Sequence, residues 1–291
     1  MKELNTNIVF RGFLLFFTIS FLLVSCDQDS LDTDSETDTQ LLSKAETQTE
    51  IDNISESLND IDENIFLSYG SSASSKEIEN KEIELNKFMP DCVVITKVIT
   101  NTHKSITIDY GDGCTTKNDN FLSGKISLDI SLDFDSKSAS IDYTFDNFYF
   151  NNKKIEGDIH KLRSWINENG NPQAIINKDI KIIWEDGSFV TVKGERKREW
   201  IEGFENHIWG DNVFLITGTW TVNHKDGNER TVKIIEPLKR KTACRFIVSG
   251  VVEIQKNDRV VSVNYGSGDC DDLAIATFNG IDHEIHIRKR K

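Results

Sequence analysis

From Lys125 to Asp135 the chain alternates without a break: Ile126, Leu128, Ile130, Leu132 and Phe134 are apolar, and every residue between them is polar. A period of two belongs to an extended strand with one buried and one wet face. Turn-forming pairs follow at Asn151-Asn152, Asp186-Gly187, Asp226-Gly227 and Asn279-Gly280, the last two set between alternating runs. Asn and Gly adopt the positive φ that tight hairpins require. Connections this short join antiparallel neighbours. Residues 90–291 are therefore expected to form an all-β domain, an antiparallel meander of about thirteen strands.

An apolar residue, one intervening residue and a glycine recur at Leu122/Gly124, Ile155/Gly157, Val192/Gly194, Ile216/Gly218 and Val248/Gly250. Glycine weakens a strand unless the backbone must bend or a neighbour must come close. Some coincidence is expected among 17 glycines. The recurrence still points to a strongly coiled sheet, either curled toward a partly closed barrel or folded over as a sandwich.

Before the strands, residues 43–89 read as a helical arm. Ile51, Ile54, Leu58, Ile61 and Ile65 are spaced 3, 4, 3, 4 along one helix face. Ser43 with Glu46 fits a capping box, and Gly70 followed by a serine-rich run is a stop. A helix packed on the body, or serving as a stalk, is favoured over a coiled-coil seam at this length. A second charged, helix-leaning segment runs from Lys76 to Phe88 and ends at Pro90.

Residues 1–25 have the form of a secretory signal peptide: Lys2 and Arg11, then an apolar run from Gly12 to Val24. That run is too short to span a bilayer. It ends in Leu23-Val24-Ser25-Cys26, which resembles the bacterial lipobox and makes Cys26 the expected lipidation site. Acyl chains on Cys26 would contribute about 0.8 kcal/mol per buried methylene, enough with more than one chain for stable membrane attachment. Residues 26–42 carry six acids and no base, and read as a solvated, self-repelling tether. The stretch also resembles the acidic export signal that follows the lipidated cysteine in surface lipoproteins of Bacteroidota-type bacteria. That resemblance implies a protein at the outer membrane, facing the cell surface. A net charge of −14 argues against nucleic acid as a partner.

Four further cysteines, Cys92, Cys114, Cys244 and Cys270, lie in an exported chain where thiols oxidise. Three connectivities are open. Opposed residues of a hairpin lie symmetrically about its turn. Pairing Cys92 with Cys114 centres a turn on His103, and pairing Cys244 with Cys270 centres one on Asn257. Both centres fall in polar turn sequences, which favours these two disulfides over the alternatives. Each would close a loop of about 25 residues, contributing on the order of 3 kcal/mol through chain entropy. The two hairpins look like copies: DYGDGC, Asp109–Cys114, returns as NYGSGDC, Asn264–Cys270. In both, the glycines let the chain leave the strand through positive φ.

The order DYGDGC, SGKI, FDNFYFNNKKIEG, REWIEG, FLITGT, VSGVVEI and NYGSGDCDD is similar to a family of uncharacterised lipoproteins from Bacteroidota. The resemblance covers about Pro90 to the end. It implies location and β architecture, and no activity.

No catalytic, cofactor-binding or metal constellation stands out. DYGDGC lacks the ligand spacing of a calcium loop, and its copy replaces Asp109 and Asp112 by Asn264 and Ser267. His283 and His286 are three apart and in a strand would point to opposite faces. Phe145, Phe148, Tyr149, Phe150, Trp165, Trp184, Trp200 and Trp209 read first as core, with exposed stacking platforms for sugars as the sharper alternative. The basic runs Arg196–Arg198, Lys239–Lys241 and Arg288–Lys291 read as solvated surface charge. The expected function is non-catalytic: an envelope lipoprotein that binds a glycan or another envelope protein. A carrier holding an apolar ligand within the coiled sheet is the alternative.

Overall fold

The computed structural model describes residues 37–66, 89–116, 118–206 and 208–287. The signal peptide, Cys26, the start of the tether, Gly70, the Lys76–Phe88 segment and the terminal basic run lie outside them. Among the described residues one α-helix, α1 (Asp38–Ile65), precedes fourteen strands. These are β1 (Val94–Ile99), β2 (His103–Asp109), β3 (Cys114–Thr115), β4 (Phe121–Asp133) and β5 (Ser138–Phe150). They continue as β6 (Lys153–Ser164), β7 (Gln173–Ile183), β8 (Phe189–Glu202), β9 (Val213–His224) and β10 (Glu229–Lys241). Last come β11 (Ile247–Lys256), β12 (Arg259–Ser267), β13 (Leu273–Phe278) and β14 (Ile281–His286). All pairings are antiparallel and follow chain order, except that β2 pairs directly with β4 and the two-residue β3 pairs only with β4. The sheet is an open meander that does not close into a barrel.

The turns that the sequence marks are the turns that form. Asn151 and Asn152 take φ of 46° and 65° between β5 and β6, and Asn279 and Gly280 take 53° and 74° between β13 and β14. The glycine recurrence also has a physical cause. A Cβ on Gly124 would lie 2.0 Å from the carbonyl oxygen of Asn147 on β5, and one on Gly157 would lie 2.2 Å from that of Asp179 on β7. Gly194, Gly218 and Gly250 likewise face the backbone of a neighbouring strand. At these positions the strands come closer together than a side chain permits, and the sheet bends.

The helix differs from the expectation in two ways. Its N-terminus is capped by Thr37 and Gln40, each side chain bonding the other's backbone N–H, rather than by Ser43 and Glu46. It therefore begins inside the stretch read as tether. Nor is it buried on one face only: from Thr47 to Phe66 nearly every side chain is buried, including Asp52, Glu56, Asp60, Asp62 and Glu63. Ile51, Ile54, Leu58 and Ile65 join the apolar core of the sheet. Helix and sheet form one compact unit from Thr37 onward.

Both disulfides pair as expected, Cys92 with Cys114 and Cys244 with Cys270. The register that suggested them is looser than the symmetry argument supposed. Val94 faces Asp109, so the β1–β2 hairpin is centred between Asn101 and Thr102, and Cys114 pairs through β3 with Leu122 instead. Cys244 and Cys270 lie just outside β10 and β12, where Val252 faces Val263.

Replacing Gly157 by alanine forces both a positive φ of 102° and a backbone clash, and is expected to cost about 2–4 kcal/mol in urea unfolding. Gly227→Ala, at φ 81° in open space, should cost about 1–2 kcal/mol. Equal costs would show that close strand approach is not what these glycines provide.

Candidate functional site

Along β6 and β8, inward-facing apolar residues give way to a pair of buried cations toward the C-terminal end of each strand. On β8, Val190 and Val192 are followed at the same parity by Arg196 and Arg198, all buried. On β6, Ile155 and Ile159 are followed by Lys161 and Arg163. Cross-strand register sets Ile176 between Lys161 and Arg196, and Ala174 between Arg163 and Arg198. Small or apolar residues of β7 thus separate cations that would repel if adjacent. Arg240 of β10 adds a further buried guanidinium.

Helix α1 supplies the matching carboxylates. Asp52, Glu56, Asp60 and Glu63 are spaced 4, 4, 3, which places them along one face. Asp52 pairs with Arg196, and Glu56 lies 3.5 Å from both Arg196 and Arg198. Asp60 receives Arg198 and Arg240, each at 2.6 Å. Asp62 pairs with Lys161 and Glu63 with Arg163. Higher on the helix, Glu50 accepts from Lys153 at 2.9 Å and from the Trp184 indole at 3.1 Å. The guanidinium planes also lie against rings, Arg196 at 3.9 Å from Trp220 and Arg198 at 3.7 Å from Phe214. Arginine suits this position because its flat cation pairs at its edge and stacks on its face.

The electrostatics follow from this geometry. Burial alone would raise Glu63, but Arg163, Lys161 and Arg198 outweigh it and hold the carboxyl below its ordinary value. Lys178 is the exception to the pairing. It faces inward on β7, its Nζ has no hydrogen-bond partner, and burial followed by the charge of Arg196 pushes it down to about 7.

These residues correct the reading of the basic runs. Arg196, Arg198 and Arg240 are buried, not solvated, and Lys197 between the first two is exposed. Of the aromatics, Phe148, Phe150 and Trp200 are core, while Phe145, Tyr149, Trp165 and Trp184 are half-buried. Asp109 does turn chemistry, accepting from the Gly111 N–H at 2.9 Å and pairing with Lys125. His283 stacks on Phe278 while His286 bonds Asp272. Among the described residues no group of three or more His, Cys, Asp or Glu side chains is placed to hold a metal ion.

Beside the charged seam lies a cavity of about 240 Å³. Ser57, Asp60, Ile61 and Asn64 of α1 line it, with Tyr110, Thr116, Asn120, Leu122 and Phe150 from β4, β5 and the turns around β3, and Gly210 and Thr242 from either side of β9 and β10. Pro90 and Thr116, each two residues from a cysteine of the Cys92–Cys114 bond, also line the cavity.

Lys178→Met replaces an unpartnered buried amine with an apolar chain of similar length. Because the folded pKa lies below the unfolded one, burying this lysine costs most at and below pH 7, and the cost fades as pH rises toward 10.5. The variant should therefore be more stable by a few kcal/mol near neutrality, with the advantage shrinking by pH 10. Chemical unfolding across that range checks it, and a pH-independent difference would contradict the account.

No protein-family model, curated protein or solved structure matches the chain, so the reading of its function rests on its own sequence and geometry.

Proposed function

We propose that this protein is a lipoprotein of the bacterial outer membrane, displayed at the cell surface through acyl chains on Cys26. Its folded part has a non-catalytic role, binding an extracellular glycan or another envelope protein. The observation that carries the reading is Leu23-Val24-Ser25-Cys26 at the end of a basic-then-apolar leader, followed directly by an acidic stretch. Charge supports a partner other than nucleic acid, since the chain is strongly acidic and several of its arginines are consumed inside the fold. An apolar carrier would keep the inner face of its sheet open for its ligand. Here α1 fills much of that face with its own side chains.

In a bacterial host that processes lipoproteins, the chain should incorporate labelled palmitate, fractionate with the outer membrane and be cut by protease added to intact cells. Cys26→Ala should abolish the label and release the protein into the soluble fraction. Palmitate incorporation that survives Cys26→Ala would contradict the anchor, and protection from external protease would contradict surface display.

A further inference from the structure

Arg240 is gripped from two sides. Its Nε and Nη2 donate to Asp60 Oδ2 of α1 at 3.1 and 2.6 Å. Its Nη1 donates to the carbonyl oxygens of Lys241 at 2.7 Å, of Cys244, and of Phe246 at 3.3 Å. Those three carbonyls belong to one turn, residues 241–246, between β10 and β11. A buried guanidinium needs partners for all its donors, and here the turn supplies those that the helix does not. Arg196 and Arg198, by contrast, meet carboxylates of α1 at their edges and rings on their faces.

The turn is fixed to the loop after β12 by a covalent bond and a hydrogen bond. Cys244 is bonded to Cys270, and Lys241 Nζ donates to the Gly268 carbonyl at 2.9 Å. Cys244 is 2% exposed, whereas Cys270 is open to solvent. An external thiolate therefore approaches this bond from the Cys270 side. The path from that sulfur to the helix is short, running through Cys244, its own carbonyl and Arg240 to Asp60. The Cys92–Cys114 bond, also exposed at Cys92, instead ties β3 to the segment before β1.

We propose that Cys244–Cys270 is a redox-controlled latch on α1: reduction by a dithiol frees the 241–246 turn, withdraws its carbonyls from Arg240 and loosens the helix around Asp60. In the exchange a thiolate of the dithiol bonds to the Cys270 sulfur, the S–S bond breaks, and Cys244 leaves as a thiolate that takes up a proton. The second thiol of the reductant then displaces Cys270. Two electrons pass to the protein, and the reductant ends as a disulfide. With the turn released, the buried Nη1 carries a desolvation cost that α1 does not relieve, because Asp60 already accepts from Arg198 as well.

The test uses the full-length chain carrying Cys92→Ser and Cys114→Ser, purified in detergent, so that reduction acts on Cys244–Cys270. Hydrogen exchange is followed by mass spectrometry before and after dithiothreitol. Reduction should speed exchange of the α1 amides from Leu58 to Ile65 about 10-fold or more beyond any change in β7 and β8, as expected for losing a hydrogen bond to a charged group. Arg240→Gln should produce that excess in the oxidised chain, and reduction should then add nothing to it. Iodoacetamide should label Cys244 and Cys270 faster than the β7 and β8 amides open. If the double serine variant does not fold, oxidised and reduced wild type are compared with and without Arg240→Gln, and the same excess must vanish in the variant. Equal acceleration of α1, β7 and β8 on reduction, or an excess that persists undiminished in Arg240→Gln, overturns the proposal. Labelling only at the rate of β7 and β8 opening overturns it too, since the bond would then be reducible only in the unfolded chain.

Discussion

A carboxylate or guanidinium removed from water without a partner costs several kcal/mol, and the inner face of this sheet carries Lys161, Arg163, Arg196, Arg198 and Arg240 in buried positions. Those side chains are tolerable only because Asp52, Glu56, Asp60, Asp62 and Glu63 stand opposite them on α1. The dependence is mutual, since a helix with those acids could not be buried against an apolar sheet. Such pairs add little net stability compared with apolar packing, but they fix which helix lies in the sheet and in what register. The apolar stripe of Ile51, Ile54, Leu58 and Ile65 contributes the burial energy, and the acidic stripe contributes the specificity.

The shape of the sheet serves that pairing. A flat meander could touch one face of a helix, whereas this helix is buried almost all round over its second half. The bends come from glycines at which a neighbouring strand's backbone occupies the space a Cβ would need. The open ladder from β1 to β14 then needs no barrel closure, because α1 covers the inner surface. The disulfides and Tyr-Gly-x-Gly turns act near the two ends of the ladder. There Tyr265 reaches into the charged seam through Asp52 and Tyr110 borders the cavity.

Much of the architecture was legible because it rests on local rules. Alternation in β4, Asn and Gly at hairpin turns, and the bend glycines each carry their meaning within a few residues, and the cysteine pairs within a single hairpin. The charged seam was harder to read because its logic is tertiary. Arg196 and Arg198 share the parity of Val190 and Val192, and Lys161 and Arg163 that of Ile155 and Ile159, so alternation did mark them as inward. The general rule that Lys and Arg stay in water overrode that signal. The 4, 4, 3 spacing of Asp52, Glu56, Asp60 and Glu63 was equally present, but an acidic chain offers many such coincidences. Only the two patterns together predict a buried seam. The cavity had no sequence signal of its own, since its lining comes from α1, from the first strands and turns after it, and from Gly210 and Thr242 much later in the chain.

Native-state hydrogen exchange tests most directly whether helix and sheet form one interdependent unit. If they do, the amides of α1 from Ile51 to Glu63 should exchange only through the same global opening as those of β7 and β8, with matching free energies and matching denaturant dependence. Exchange of α1 through a separate, lower-energy opening that leaves β7 and β8 protected would show that the sheet stands without its helix, and the account would be wrong.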